Sequence, residues 1–188
     1  AKSKFTNEDV IAAFAGGLAD VISIKLLKGF ELCKVVSNTE TLSIAGNMSP
    51  WWIPFNRLHV GGKHIDDPGW HMKVNLANRN GVHAREWARN ALAIKENWGS
   101  LKFLCRVTLK TPVKAFFGRV AGQNRMDPVR LDDDTGKKIN PLQRESDVEK
   151  SSGRNLPGNA RQLYIPFTKN SDYQYKSDSS LTGGHLEL

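Results

Sequence analysis

The sequence predicts an α+β domain built on a small, mostly antiparallel sheet with flanking helices. Three observations lead to this class: one segment with helical periodicity, several short segments with strand character, and their order along the chain. That order is helix, strand, loop, helix, paired strands, insertion and final strand. The chain of 188 residues is long enough for one domain with a hydrophobic core.

The clearest helix lies in the segment "GVHAREWARNALAIKENWGS", with Gly99 as its end. Its apolar residues recur at helical intervals on one face. They are Ala84, Trp87, Ala88, Ala91 and Trp98. A capping box formed by Thr6 and Asp9 predicts a second, short helix from about Asn7.

Three segments have strand character. Residues 28–36 contain a short apolar run that begins after Gly29. Residues 101–117 alternate with period 2, so that Phe103, Cys105, Val107 and Leu109 share one face. Pro112 either divides this segment into two strands or bends one strand. The last strand is predicted within 161–167.

The remaining segments are predicted to be irregular. Residues 59–81 are rich in glycine, and 124–157 form a polar insertion with few apolar residues. The sequence therefore predicts a single domain over 1–168 that carries this insertion, followed by a polar and peripheral tail over 169–188.

Composition limits the classes of partner. The formal net charge of +8 and the isoelectric point near 9.6 favour nucleic acid, a phosphate-bearing cofactor or an acidic inhibitor. No apolar run is long enough for a membrane span, and the N-terminal residues lack the layout of a signal peptide.

The cysteines and histidines give no metal-ligand pattern. Cys33 and Cys105 lie in apolar runs and are predicted to be buried free thiols, although the sequence leaves a disulfide open. The histidines from 59 to 83 lack the close helical pairs of zinc sites, so no metal is expected.

The segment "NMSPWWIPFNR" raises a separate question because it places two tryptophans between two prolines. Pro50 and Pro54 restrict the segment to an edge strand or a loop. Trp51 and Trp52 then either cover a core or line a flat ligand, and the sequence is compatible with both.

Two segments together resemble a known family. "KTPVKAFFGRVAGQ" at 110–123 and "LPGNARQLYIP" at 156–166 are similar to the end of ADP-ribosyltransferase-fold toxin domains. The similarity is greatest to NAD glycohydrolases of the necrotizing-toxin type and to ADP-ribosylating tips of polymorphic toxins. In these families a Gln or Glu on the last strand faces the nicotinamide ribose, and Gln162 matches it. Lys34 stands where the family has an arginine, and Tyr164 where transferases have a second acid.

The resemblance implies an ADP-ribosyltransferase-like fold with NAD as substrate, cleaved at the nicotinamide–ribose bond by transfer or hydrolysis. It assigns catalysis to Gln162 and Ser49. It assigns cofactor binding to Lys34, Trp51, Trp52, Arg57 and Gln123. The implied partners are an unknown protein or nucleic-acid acceptor and an acidic immunity protein. The implied setting is a secreted or delivered effector that acts in the cytoplasm of a target cell.

Two alternatives remain at this stage. The positive charge and the histidines are compatible with a basic nuclease toxin or a nucleic-acid-binding domain. A non-enzymatic interaction module is also compatible with the sequence. Release of nicotinamide from NAD separates the first class from both alternatives, and degradation of RNA separates the alternatives from each other.

Overall fold

The computed structural model describes residues 8, 17–37, 49–62, 65–94, 99–124, 155–166 and 171–181. The strands are β1 (Leu18–Leu26), β2 (Glu31–Val36), β3 (Trp51–Pro54), β4 (Leu58–Val60), β5 (Ile65–Asp67), β6 (Phe103–Leu109), β7 (Val113–Val120), β8 (Gln123–Asn124), β9 (Asn155–Leu156), β10 (Arg161–Tyr164) and β11 (Tyr173–Ser180). The helices are α1 (Gly69–Arg79) and α2 (Ala84–Ala91).

Seven of these strands form one sheet in the order β1-β7-β10-β3-β2-β6-β11. Every neighbouring pair in this sheet is antiparallel. Two two-stranded sheets, β4–β5 and β8–β9, account for the remaining strands of the described ranges. The predicted α+β class with a mostly antiparallel sheet is therefore confirmed. No helix within the described ranges is long and apolar enough to cross a membrane.

Both faces of the sheet are apolar. One face, called the core face below, carries a cluster to which all seven strands contribute; its members include Leu26, Leu32, Trp52, Val107, Phe117, Leu163 and Tyr173. The opposite face, called the helix face, carries Cys33, Ile53 and Leu104, which pack against buried residues of α1 and α2. Since successive side chains on a strand point to opposite faces, these assignments fix the orientation of their neighbours.

Strand β3 is a central strand, which corrects the expectation of an edge strand or loop for this segment. It pairs with β10 on one side and with β2 on the other. The strand is only four residues long, and its prolines lie at its two limits. Pro50 precedes it and accepts the Ile165 N–H through its carbonyl at 2.8 Å, while Pro54 is its last residue. The interior positions, Trp51 to Ile53, keep their backbone N–H groups, so the prolines leave the pairing intact.

The expectation that 59–81 is irregular is also corrected, because the segment contains most of β4, all of β5 and the 11-residue helix α1. Gly69 begins α1 at φ +80, and a Cβ atom there would lie 2.5 Å from the carbonyl oxygen of Asn56. Asp67 accepts the Gly69 N–H at 2.9 Å and pairs with Lys73 at 2.6 Å. Gly69 is therefore required by the backbone conformation and the close contact at the start of the helix, and it does not indicate an irregular segment.

Helix α2, which was predicted in the segment ending at Gly99, is confirmed but is shorter than predicted. It ends at Ala91, and Ala93 at φ +48 takes the chain out of the helical region well before Gly99. Arg89 is buried and donates to the carbonyl oxygens of Ile94 at 3.0 Å and Gly99 at 2.9 Å. Trp98 lies outside the described residues.

The predicted strands are found where alternation and composition placed them. Residues 28–36 contain β2, and 161–167 contain β10. Pro112 divides 101–117 into β6 and β7, which settles the alternative that the sequence left open. Strand β6 is buried on both faces, because Leu104 joins the helix-face cluster while Cys105, Val107 and Leu109 join the core face.

Two predicted segments lie largely outside the described residues: the short helix from about Asn7 and the insertion over 124–157. The ends of the insertion are described, and they pair with each other as β8 and β9. The chain therefore leaves the sheet region and re-enters it at adjacent positions.

The structure corrects the expected peripheral tail over 169–188, because 173–180 form β11 along β6. Tyr173 is buried on the core face, and its ring centroid lies 5.7 Å from that of Trp52. Strand β11 is an edge strand that is exposed on one side, so it needs few apolar residues. Its polar sequence therefore resembled that of a peripheral tail.

We expect Tyr173→Ala to lower the free energy of unfolding by about 3 kcal/mol, because it opens a cavity beside Trp52. Tyr175 lies on the same strand but is 49% exposed. Tyr175→Ala is the matched control and should cost less than about 1 kcal/mol. Urea unfolding of both variants measures the difference; equal losses would show that the tail does not pack on the core.

Candidate functional site

The segments that resemble the toxin family lie side by side in the sheet. Strand β3 pairs with β2, which carries Lys34, and with β10, which carries Gln162. Leu163 stands opposite Trp52, and Tyr164 stands opposite Trp51. Residues separated by more than a hundred positions in the sequence are thus brought onto three neighbouring strands.

Gln162 lies on the helix face together with two aromatic side chains. Leu163 belongs to the core face, so its neighbours Gln162 and Tyr164 point to the opposite side. Trp51, the partner of Tyr164, shares that side, and the two rings meet edge to face with centroids 4.9 Å apart. Gln162, Trp51 and Tyr164 are all half-buried, so each presents part of its surface to solvent.

The residue opposite Gln162 on β7 is Gly118, which has no side chain to cover it. A Cβ atom at Gly118 would lie 2.7 Å from the carbonyl oxygen of Ala19 and 3.1 Å from a methyl of Val21. An irregularity in the β1–β7 register at Ala19 brings the β1 backbone over this position. Asp20, at φ 51, forms an ion pair with Arg119 there.

Trp52 does not wall a ligand site, which corrects one of the expectations for the tryptophan pair. It is 0% exposed and belongs to the core-face cluster. Adjacent residues of a strand point to opposite faces, so Trp51 and Trp52 cannot serve the same site. Of the two tryptophans, Trp51 lies on the face of Gln162, and it is half-buried.

Lys34 also lies on the core face and is buried, which corrects the expectation that it binds the cofactor. Its Nζ lies 4.1 Å from the centroid of the Trp52 ring and donates a hydrogen bond to the carbonyl oxygen of Ser49. Burial lowers the pKa of Lys34 to about 7. In this arrangement the ammonium group faces away from Gln162 and is shielded from a surface anion.

Of the other assigned residues, Ser49 and Arg57 flank β3, and Gln123 lies on β8. Ser49 is exposed just before the strand. Arg57 follows the strand and donates to Asp66, with Nε 2.6 Å from Oδ1. This contact holds the pKa of Asp66 below its usual range and raises that of Arg57. Gln123 pairs through its backbone with Leu156, and the position of its side chain lies outside the described part of the structure.

The cysteines are confirmed as buried free thiols. Cys33 belongs to the helix-face cluster and Cys105 to the core face, so the sheet separates their sulfur atoms. Burial raises the pKa of both thiols. Within the described residues, no group of three His, Cys, Asp or Glu side chains is arranged to hold a metal ion.

The sequence indicated Tyr164 only as a departure from the second acid of transferases, and not as part of the candidate site. In the structure the Tyr164 ring packs against Trp51 on the face of Gln162. The sequence could have indicated that Tyr164 shares a face with Gln162, because residues two apart on a strand point to the same side. The edge contact with Trp51 could not be inferred, since it depends on the pairing of β10 with β3.

Comparison with solved structures gives two matches with low TM-scores and low sequence identity. No family model and no curated protein matches the sequence. One solved structure, that of Tne2 in complex with Tni2, has a TM-score of 0.44 and 10% sequence identity, over 88% of this chain and 97% of that one. Another, Rhs1-CT in complex with its cognate immunity protein RhsI1, has a TM-score of 0.45 and 12% identity, over 95% of this chain and 98% of that one.

We expect the burial of Lys34 to make stability depend on pH. Its pKa is about 7 in the folded protein and about 10.4 when unfolded, so the unfolded chain binds more protons between these values. The free energy of unfolding should therefore rise by roughly 1 kcal/mol between pH 7 and pH 8 through this group. Lys34→Met should remove that slope while the exposed control Lys102→Met retains it, as measured by urea unfolding at each pH. Equal slopes in all three proteins would contradict the burial of a titrating amine.

Proposed function

We propose that this protein is an NAD-consuming toxin domain that cleaves the nicotinamide–ribose bond, as an ADP-ribosyltransferase or an NAD glycohydrolase. The observation that carries the proposal is the joint position of Gln162, Tyr164 and Trp51 on one face of β10 and β3. The family resemblance of the two segments ending at Gln123 and Pro166 supports it. On this proposal the fold is ADP-ribosyltransferase-like.

The chemistry suits these residue types. Cleavage of the bond passes through an oxocarbenium-like transition state, which needs positioning and electrostatic support more than covalent help. The Gln162 amide can accept a hydrogen bond from a ribose hydroxyl or orient an attacking water. Because Gln162 sits on a strand that is paired on both sides, its backbone position is fixed before the substrate binds.

The nicotinamide ring requires a flat apolar surface, and Trp51 with Tyr164 can provide it. Their rings are held edge to face in the sheet, so one of them can offer its face to a heteroaromatic ring beside Gln162. The role that the resemblance assigned to a tryptophan therefore falls to Trp51 in this proposal.

The remaining assignments extend the proposal. Ser49 would contact the substrate from the exposed end of β3. Arg57 would contact the substrate only after breaking its ion pair with Asp66. The positive net charge suits an acidic immunity protein as partner and a macromolecular acceptor in a transferase. Delivery into the cytoplasm of a target cell, where NAD is available, completes the proposed role.

We expect Gln162→Ala to reduce release of nicotinamide from NAD by about 100-fold or more, because it removes a group that acts in the transition state. Gln174 lies exposed on β11 and gives the matched control, Gln174→Ala, which should retain the activity. Circular dichroism and thermal unfolding establish that both variants are folded. Retained activity in folded Gln162→Ala would remove the assignment, and degradation of RNA without NAD cleavage would favour the nuclease class instead.

The two tryptophans should respond differently to replacement by phenylalanine. Trp51→Phe should weaken NAD binding by roughly 0.5–1.5 kcal/mol with little change in melting temperature, because a smaller ring still covers the ligand. Trp52→Phe should lower stability by roughly 1–3 kcal/mol and leave NAD binding unchanged, since it leaves a cavity in the core. Calorimetric titration and thermal unfolding of both variants measure the contrast; the reverse pattern would contradict the assignment of the two rings.

A further inference from the structure

Two turns of the chain lie side by side at one end of the seven-stranded sheet. They are the turn between β1 and β2 and the turn between β6 and β7. The Gly29 N–H donates to the Leu109 carbonyl at 2.8 Å, and the Leu109 N–H donates to the Phe30 carbonyl at 3.0 Å. These backbone hydrogen bonds fix the two turns relative to each other.

Four exposed lysines surround an exposed leucine on these turns. Lys25 and Lys114 stand opposite each other on β1 and β7, where like charges repel. Lys28 lies in the first turn and Lys110 in the second. Leu27, next to Lys28, is 65% exposed. These five residues are called the basic corner below.

The carboxylates on the adjoining elements do not neutralise the basic corner. Glu31, at the start of β2, is bound by Arg106 and Lys176. Asp172 is buried just before β11 and accepts the Lys110 N–H through its backbone carbonyl at 2.8 Å. Among the described residues, no ion pair involves a lysine of the basic corner. The corner therefore offers positive charge to a partner.

An exposed leucine among ammonium groups matches the layers of an anionic lipid surface. Such a surface has phosphate groups outside and apolar chains just beneath them. Leu27 would leave water by entering the boundary between these layers, which is favourable for an apolar side chain. The lysines can extend their apolar stems along the boundary and keep their ammonium groups at the phosphates.

The composition of the basic corner favours a lipid surface over a nucleic acid or a protein. All four of its cations are lysines, whereas bidentate recognition of a nucleic-acid phosphate or a protein carboxylate favours arginine, and lysine is depleted in protein interfaces. No member of the corner is aromatic. The ring of Phe30, in the same turn, packs against the core-face cluster and is not placed to stack on a base.

We propose that the basic corner docks this protein on the surface of an anionic lipid membrane. Leu27 enters the headgroup boundary, and the four ammonium groups contact the lipid phosphates. This interaction is separate from the proposed cleavage of NAD, because it uses neither Gln162 nor the rings beside it. Its test therefore measures binding to lipid in the absence of NAD.

The first measurement is sedimentation of the protein with lipid vesicles. One set of vesicles consists of phosphatidylcholine, and the other consists of equal parts of phosphatidylcholine and phosphatidylglycerol. We expect binding to the anionic vesicles alone, and weaker binding at high salt, because salt screens the attraction between ammonium and phosphate groups. Equal binding to both sets, or binding to neither, would overturn the proposal.

The lysines are tested with variants that remove equal charge from different places. Lys28→Gln/Lys110→Gln should weaken binding to anionic vesicles by about 25-fold, since each lysine near such a surface contributes roughly fivefold. The control is Arg85→Gln/Lys102→Gln, which changes exposed cations on α2 and just before β6. The control should bind like the wild type. An equal loss in both variants would show that net charge alone explains the binding.

The apolar contribution is tested with two leucines of similar exposure. Leu27→Asn should weaken binding to anionic vesicles by about tenfold, because it removes the side chain that enters the boundary. Leu76 of α1 is 62% exposed and gives the control Leu76→Asn, which should bind normally. Both positions are exposed, so the melting temperatures should stay close to that of the wild type. An equal loss in Leu76→Asn, or none in Leu27→Asn, would contradict the docking of this turn.

A fluorescent label separates a lipid surface from another polyanion. Cys33 and Cys105 are buried, so Leu27→Cys provides an exposed thiol for an environment-sensitive dye. We expect the dye emission to shift to shorter wavelength with anionic vesicles and to stay unchanged with heparin, which has negative charge but no apolar layer. The same dye on Leu76→Cys should show no shift with either. Binding to heparin without a shift on vesicles would replace the lipid surface by a soluble polyanion as the partner.

Discussion

The pairing of β3 with both of its neighbours is the constraint on which the rest of the structure depends. This four-residue strand is the link between the strands β1, β7 and β10 on one side and β2, β6 and β11 on the other. Trp52, at its centre, is fully buried and contacts the Lys34 ammonium group and the Tyr173 ring. Both of these contacts come from the half that contains β2 and β11, and on the other side of β3 Leu163 of β10 stands opposite Trp52 in the same core-face cluster.

The alternation of side chains on β3 also divides core from candidate site. Trp52 enters the core face, which leaves its neighbour Trp51 on the helix face beside Tyr164 and near Gln162. Because Trp52 is buried on the core face, the half-buried Trp51 is held on the helix face. The same strand therefore supplies both stability and surface, which explains why it holds two adjacent tryptophans.

Charge is distributed unevenly between the two faces. Lys34 is the amine that burial pushes towards neutrality, and it closes the core face beside Trp52. The paired lysines 25 and 114 remain exposed on the helix face and repel each other. The positive net charge therefore includes lysines with different surroundings. Lys34 packs in the core, whereas Lys25 and Lys114 are accessible to an anion from solvent.

The sequence by itself predicted the α+β class, the positions of β2, β6, β7 and β10 and the burial of the cysteines, because these follow from local periodicity and composition. The sequence did not predict β3, α1 and β11 correctly. Prolines lie at the limits of β3, and α1 begins with a glycine, so both segments resembled irregular chain. Strand β11 resembled a tail because it is a polar edge strand. For the candidate site, the sequence identified Gln162 and a tryptophan as candidates. Only the tertiary structure decided that Trp51 rather than Trp52 lies beside it, and that Lys34 is buried. The physical reason is that the face of a residue depends on strand register, and register is fixed by long-range pairing that no local pattern contains.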